Sequence, residues 1–361
     1  MFGQTTTYEL TLTKNYVAGW GMVQAVRELI QNALDSDSPF VYEFRANGES
    51  EDFYLTSEFA TLSPQTLLLG ATSKADNADA IGSFGEGYKI ALLVLTRLGY
   101  EVELRNGDVV WRPRFRFSRQ FKEDLLIIEE SASTDKTNRG LTFVLRGINP
   151  AEREEIVASC LQMQPLVGQL KTTSLGDILL DRPGKLYVGG LHICATELKH
   201  GYNIKPEHIR LERDRQTVDN WDLKSITKAM WLETGETAQI VEMIDAGTPD
   251  MEYVRYDCPE VVKEACYALF RERHPGALVA ESHSEMKELI ANGMKEVIIV
   301  RSDMYHAVST SRSYRTEIPA AIRATPHALL RIWLVRHRAH LRTKGIVAFK
   351  ELMEVSKSWR N

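Results

Sequence analysis

Cysteine is scarce in this chain of 361 residues, which has only four cysteines, at positions 160, 194, 258 and 266. None of them forms a CxxC pair, and no histidine set lies at zinc spacing, so the common zinc modules are excluded. We therefore expect four free thiols, as is usual in a reducing compartment.

Long apolar runs and an excess of basic residues are also missing. No run approaches the ~20 apolar residues that a membrane helix needs, and the first residues lack the basic start and apolar core of a secretion signal. The net charge of −5 does not indicate a nucleic-acid partner. No GxSxG elbow supports serine-hydrolase chemistry. We expect a cytoplasmic protein without membrane contacts.

Hydrophobic spacing predicts the order of the elements in the first part of the chain. A β-prone start leads into a helix from about Trp20 to Asp35, followed by two strands joined by the turn "NGES". A second apolar helix starts near Tyr88, and the chain then becomes strand-rich up to about residue 148. This order predicts an α+β fold with helices on one face of a mostly antiparallel sheet.

Changes in pattern near residues 150 and 248 predict three domains, 1–150, 151–248 and 249–361. The middle domain is expected to be α/β and to contain a hairpin, "GDILLDRPGKLYVGGLHIC", that turns at Arg-Pro-Gly. The last domain alternates helices and strands and ends in basic helices, whose charge suits a phosphate backbone or an acidic partner. A helix with a solvated basic face explains that charge equally well.

The first predicted helix carries a polar set at helical spacing. Glu28 and Asn32 are four residues apart and Asp35 lies three further on, so the three share one face. A carboxylate can orient or deprotonate a water molecule, and an amide oxygen suits Mg²⁺, which also binds substrate phosphates. A solvated helix face with capping contacts is the alternative, and these residues alone leave both interpretations open.

A glycine-rich stretch, "IGSFGEGYK" at 81–89, opens the second apolar helix. Backbone N–H groups at a helix N-terminus form an anion site, and glycine permits close approach. The spacing matches neither the P-loop nor the Rossmann fingerprint. A flexible turn before a buried helix is the alternative interpretation. Ser73 and Lys74 precede the stretch and add polar and basic groups.

Taken together, "ELIQNALDS" at 28–36, "GATSK" at 70–74 and "IGSFGEGYKIALL" at 81–93 resemble the GHKL ATPases. This Bergerat-fold group includes gyrase B, the ninety-kilodalton heat-shock chaperones, MutL, MORC proteins and histidine-kinase catalytic domains. The resemblance covers about residues 15–147 and extends to uncharacterised bacterial and phage members, including rIIA-like phage proteins. It implies a Bergerat-type α/β sandwich that binds ATP with Mg²⁺.

The resemblance also implies a role for individual residues. Glu28 would polarise the attacking water as the catalytic residue, and Asn32 would hold the metal. The residues that would contact the nucleotide are Asp35, Ser57, Ser73, Lys74, Gly82, Phe84, Gly85, Gly87, Lys89 and Thr142. A basic residue of the adjoining domain could reach the γ-phosphate, and the candidates are Lys185, Arg213 and Arg215, for which a salt-bridge cluster is the alternative.

The chain departs from the family pattern where the adenine-contacting box D-x-G-x-G is expected. Ser57 stands in place of the aspartate, and Phe59 and Thr61 stand in place of the glycines. A serine hydroxyl can accept or donate a hydrogen bond, so three interpretations stay open: altered ATP geometry, another base, or loss of nucleotide binding. Thr142 comes one residue later than the family's late-strand threonine, and such a slip reverses the face of a strand side chain.

The function that follows from the resemblance is slow, Mg²⁺-dependent ATP hydrolysis with closure of the glycine-rich stretch as a conformational switch. The expected partners are the nucleotide, a second copy of the chain in a nucleotide-dependent dimer, and an unknown protein client. The alternative is a GHKL-derived binding module that no longer hydrolyses ATP and contacts a protein or nucleic acid. A phosphotransferase of the histidine-kinase type is not expected, since no dimerising hairpin with a phospho-accepting histidine precedes the helix.

Overall fold

The computed structural model describes residues 5–36, 38–68, 87–135, 138–211, 218–291, 294–317 and 341–356, and also 327, 330–331 and 333–334. The chain divides into two compact units, with the division between Thr234 and Gly235. The predicted boundaries near 150 and 248 therefore lie inside the first and the second unit respectively.

Seven strands form the main sheet of the first unit: β1 (Thr6–Thr13), β2 (Phe40–Asn47), β3 (Ser50–Ser57), β4 (Glu101–Asn106), β5 (Val109–Ser118), β6 (Glu123–Ala132) and β7 (Leu141–Ile148). Their order across the sheet is β1-β6-β5-β4-β7-β3-β2. Every neighbouring pair is antiparallel. The strands fall in the β-prone start, around the "NGES" turn and in the region up to about residue 148, as predicted, because alternating apolar side chains and glycine turns mark them in the sequence.

Three helices pack with this sheet: α1 (Met22–Leu34), α2 (Gly87–Arg97) and α3 (Pro150–Ala158). α1 contacts α2, α3 and β3, and α2 contacts β4 and β5. The helices share one apolar core with alternate residues of the sheet, including Phe53, Leu55, Leu104, Trp111, Leu126 and Phe143. The prediction of an α+β fold with a large antiparallel sheet is confirmed.

The opposite face of the sheet carries charged side chains. On β5 the alternate residues Arg112, Arg114 and Arg116 point to this outer face. They pair with glutamates of β4, β6 and β1 respectively, as in Arg112–Glu103 at 2.7 Å. A face of this composition is typical of an antiparallel sheet with one side on the core and the other in water.

Arg97 fixes the loop that leads into α1. Its guanidinium donates hydrogen bonds to four main-chain carbonyls, those of Lys14, Tyr16, Val17 and Trp20, at 2.9–3.2 Å. The start of α1 is thereby tied to the end of α2, which holds the two helices that carry the candidate site in a defined arrangement.

The first unit also contains a five-stranded sheet and a further helix. These elements are β8 (Leu170–Thr173), β9 (Gly176–Leu179), β10 (Lys185–Val188), β11 (Leu191–Ala195), β12 (Gly201–Ile204) and α4 (Asn220–Thr234). The order is β11-β10-β12-β9-β8. The predicted hairpin turning at Arg-Pro-Gly is wrong, since β12 lies between β9 and β10 and pairs with β10 in parallel. β10 instead forms a hairpin with β11.

The second unit is an α/β arrangement of α5 (Thr237–Ala246), α6 (Glu260–Arg273), β13 (Leu278–Ala280), α7 (His283–Ala291), β14 (Val297–Ile299), α8 (Ser302–Thr310), α9 (Arg312–Glu317) and α10 (Thr343–Ser356). β13 and β14 are parallel and are joined by α7. The predicted alternation of helices and strands is confirmed from α6 to β14. Within the described residues, no helix is both long and apolar enough to cross a bilayer.

Candidate functional site

The candidate catalytic residue, Glu28, lies in the middle of α1 and is fully buried. The helix starts at Gly21, whose backbone N–H donates to Gln24 Oε1 at 3.0 Å. Its apolar residues Ala25, Val26, Leu29, Ile30 and Ala33 all enter the core. The Glu28 side chain has 0% exposure, although charged groups are rarely buried to this degree. A carboxylate in such a position requires a compensating environment.

Asn32 lies one turn after Glu28 and is half-buried. Its Nδ2 donates a hydrogen bond of 2.7 Å to the main-chain oxygen of Glu28. This bond directs the amide nitrogen back along the helix, so the amide oxygen is the end that faces away from that carbonyl. Asp35 follows as the C-terminal cap of α1. The three candidates of α1 therefore lie on successive turns, as their spacing predicts.

Ser57 is the last residue of β3 and lies on the helical side of the sheet. It pairs with Phe40 on β2 and with Leu141 on β7, and it is 6% exposed. Because strand side chains alternate, Ser57 shares a face with Leu55, a residue of the core that contains α1. The side chain of Ser57 therefore lies on the same face of the sheet as α1 and α2.

Gly140 permits a close approach of two strands beside Ser57. A Cβ atom at this position would lie 2.3 Å from Ser57 O and 2.5 Å from Glu58 O. Only glycine fits there without a shift of the backbone. The glycine that precedes the late strand is thus required by packing at the Ser57 end of the site.

Thr142 lies on the outer face of the sheet. Its Oγ1 is 3.0 Å from Oγ1 of Thr56, and the two residues are directly paired across β3 and β7. Thr56 and Ser57 are consecutive in a strand, so their side chains point to opposite faces. The structure therefore separates Thr142 from Ser57 and from the helices, as the one-residue slip in the sequence predicts.

Lys89 is fully buried in the first turn of α2. Its ammonium donates to Thr66 O at 2.9 Å and to Leu68 O at 2.5 Å. The adjacent Tyr88 forms a 2.9 Å hydrogen bond with Thr66 Oγ1, and burial raises the pKa of this tyrosine to about 12. Lys89 and Tyr88 together hold the chain segment around Thr66 against the start of α2.

Of the remaining sequence candidates, two lie at the first residue of a helix or strand. Gly87 is the buried first residue of α2, and Lys185 is exposed at the start of β10. Ser73, Lys74, Gly82, Phe84, Gly85, Arg213 and Arg215 lie outside the described residues.

Asn106, at the end of β4, is a residue that the sequence did not indicate. It lies in register with Leu141, which itself pairs with Ser57. Its amide donates to Leu62 O at 2.7 Å and accepts from Leu62 N at 2.9 Å. In the sequence Asn106 precedes Gly107 and predicts only a turn. The buried amide in fact fixes the loop that follows Ser57.

The amide oxygen of Asn32 is a ligand type that fits a magnesium ion. Mg²⁺ usually takes one or two protein oxygen ligands and keeps several waters. Across the ranges described above, no group of three or more His, Cys, Asp or Glu side chains could form an all-protein metal cage.

No protein-family model matches the chain. An uncharacterised protein of Mycoplasma pneumoniae is 24% identical to it over 218 residues, which cover 57% of this chain and 88% of that protein. That relative has no assigned function, so the similarity carries no statement about what this chain does.

Proposed function

We propose that the chain binds ATP with Mg²⁺ and hydrolyses it slowly, using the bound nucleotide as a conformational switch. The observation that carries this proposal is the fully buried Glu28 carboxylate one turn before Asn32 on α1. Buried ionisable side chains concentrate at functional sites. The resemblance to the GHKL ATPases and the antiparallel sheet with α1 and α2 on one face support a Bergerat-type sandwich.

Each residue of the proposed site has a chemical task. Glu28 accepts a proton from the attacking water or orients that water toward the γ-phosphate. Asn32 offers its amide oxygen to the metal, and Mg²⁺ supplies charge neutralisation of the phosphates. Ser57 lies at the base end and can accept or donate one hydrogen bond. The glycine-rich stretch that ends at Gly87 supplies backbone N–H groups to the phosphates.

A second candidate function is a binding module that uses the same scaffold without turnover. The observation that favours it is Lys89, whose ammonium is bonded to the carbonyls of Thr66 and Leu68. Two departures from the family pattern also favour this alternative. Thr142 lies on the outer face of the sheet, and Ser57 stands in place of the family's aspartate. In this alternative the chain acts through contacts with a protein or nucleic-acid partner.

Thermal melting and phosphate release separate the two candidates. Wild type and Glu28→Gln are melted with ATP, ADP and GTP, each with and without Mg²⁺, and Glu154→Gln on the exposed side of α3 serves as the matched control. A ligand at a hundred times its dissociation constant stabilises by about 2.7 kcal/mol. We expect ATP with Mg²⁺ to raise the melting temperature of all three proteins.

Phosphate release then tests the role of Glu28. Loss of a general base lowers the rate by about 10²–10⁴-fold, so we expect Glu28→Gln to lose phosphate release while Glu154→Gln retains it. Equal release from wild type and Glu28→Gln would remove Glu28 from the catalytic role. If no nucleotide shifts the melting temperature, the chain is neither an ATPase nor a nucleotide switch.

A further inference from the structure

β2 is the outermost strand of the main sheet, and none of the described strands pairs with its outer edge. It lies at the end of the strand order, and its register with β3 is unbroken from Phe40↔Ser57 to Asn47↔Ser50. Most of its side chains are exposed, with Val41 at 55%. Edge strands are often protected by proline, charged side chains or a bulge. β2 has no proline and no bulge, and its two charged residues, Glu43 and Arg45, have opposite signs. β1, at the other end, has a break in register between Glu9 and Thr13.

The hairpin turn determines which backbone groups face the open edge. Asn47 and Ser50 flank a two-residue loop in which Gly48 has φ +64°, the pattern of a type II′ turn. The flanking pair of such a turn exchanges hydrogen bonds, and bonded and non-bonded pairs alternate from there. The bond from Glu58 N to Pro39 O, at 3.2 Å, fits the same alternation. The residues whose N–H and C=O groups point outward are Phe40, Tyr42, Phe44 and Ala46.

These outward groups form a self-complementary edge. If a second β2 lies antiparallel with the two-fold axis at Phe44, Phe44 pairs with its own copy and Tyr42 pairs with Ala46. Both pairs then use residues whose hydrogen-bonding groups point outward. An isologous interface of this kind is the usual geometry of a two-fold dimer.

The charges of β2 favour the register with its axis at Phe44 over the two registers with an axis at Glu43 or Arg45. Glu43 and Arg45 are exposed on the outer face and already form two hydrogen bonds of 2.8 Å with each other. With the axis at Phe44, each Glu43 lies opposite the Arg45 of the other copy, in a non-bonded pair where side chains are closest. An axis at Glu43 or Arg45 would place like charges opposite each other, which destabilises a sheet.

We propose that β2 pairs with β2 of a second copy of this chain, antiparallel and centred on Phe44, to form one continuous sheet across the dimer. Two Glu43 and two Arg45 side chains then make a ring of alternating charge on the outer face. This association uses the edge of the sheet alone and does not require a nucleotide. Because one strand per copy buries little surface, the dimer is concentration-dependent.

Charge-reversal variants test this register. Their dimerisation is measured by sedimentation equilibrium of the full chain without nucleotide. Glu43→Arg alone and Arg45→Glu alone each place like charges opposite each other, so we expect each to raise the dimer dissociation constant about tenfold or more. A mixture of the two single variants restores opposite charges and is expected to form heterodimers. The exposed Arg114→Glu on β5 is the matched control, with unchanged dimerisation.

Ala46→Pro tests the backbone pairing separately. Ala46 is exposed and its N–H points outward, so proline there removes an edge donor without removing a bond to β3. We expect this variant to melt like wild type and to stay monomeric. The proposal is overturned if wild type is monomeric at the highest soluble concentration, or if the mixed charge variants do not associate, or if Ala46→Pro with a wild-type melting curve still dimerises.

Discussion

The ammonium of Lys89 lies 2.5 Å from the main-chain oxygen of Leu68. Leu68 precedes positions 69–86 in the chain, and Lys89 follows them as the third residue of α2. One buried side chain therefore joins the two ends of the segment that contains most of the glycine-rich motif. The lysine of this motif has a defined task in holding the fold, whatever it contributes to a ligand.

Replacement of Lys89 by methionine is expected to destabilise the protein. The change keeps the length of the side chain but leaves the Thr66 and Leu68 carbonyls without their donor, and each such loss costs about 1–3 kcal/mol. Urea unfolding should show a loss on the order of 2 kcal/mol or more, compared with no measurable change for the exposed Lys185→Met. If Lys89→Met is as stable as wild type and only ATP binding is lost, the lysine serves the ligand alone.

Gly140→Ala is expected to destabilise the sheet at its Ser57 end. The new methyl group would lie 2.3 Å from Ser57 O, a contact that requires a backbone shift. Overpacking of this kind costs about 1–3 kcal/mol. Gly19→Ala is the control, since nothing lies within 4 Å of a Cβ atom there and its φ is not positive. Equal melting temperatures for the two variants would mean that the strands separate without cost.

Glu103 is expected to make the free energy of unfolding depend on pH. Burial opposes its ionisation, but hydrogen bonds from Arg105 at 2.8 Å and Arg112 at 2.7 Å outweigh burial and lower the pKa of this carboxyl below its usual 4.5. A carboxyl with a lowered folded-state pKa stabilises the fold above its unfolded-state pKa, and this contribution is lost as the pH falls through the folded-state pKa.

The measurement is urea unfolding of wild type and Glu103→Gln across pH. We expect Glu103→Gln to lower the free energy of unfolding by about 1–2 kcal/mol at pH 7. This figure already allows for the screening of the exposed Arg112 by solvent. The difference should be constant above about pH 5 and shrink below about pH 4.5. Glu129→Gln, whose carboxylate is more exposed and lies 3.3 Å from Arg114, should show a smaller difference. A difference that does not change with pH would count against ionised Glu103 as its source.

Ser57→Ala is expected to weaken ATP binding if the base end of the ligand lies at β3. Loss of one neutral hydrogen bond costs about 0.5–1.5 kcal/mol, or about 2–10-fold in affinity. Calorimetric titration with ATP and GTP measures both the loss and the preference for the base. Thr56→Ala is the matched control, because the neighbouring side chain lies on the outer face and bonds to Thr142. An unchanged affinity in Ser57→Ala would place the base elsewhere.

Local patterns predicted the elements near the candidate site because each pattern is a short-range property. The helical spacing around Glu28 and Asn32 predicts α1, and the "NGES" turn predicts the β2–β3 hairpin. The face occupied by Thr142 also follows from counting along a strand. By contrast, the hydrogen bonds from Asn106 to Leu62 join residues 44 positions apart, and no local pattern carries that information.

The strand order of the five-stranded sheet also could not be predicted from local patterns. Arg-Pro-Gly is a good turn signal, yet β12 returns from later in the chain and lies between the strands that this turn connects. Residue types and spacing by themselves determined the helices, most strands and the polar set of α1, because backbone geometry repeats over a few residues. Only the tertiary structure decided that Glu28 is fully buried, that Lys89 bonds to two carbonyls and that β2 is the last of the described strands in the main sheet. Those properties depend on packing between segments distant in sequence.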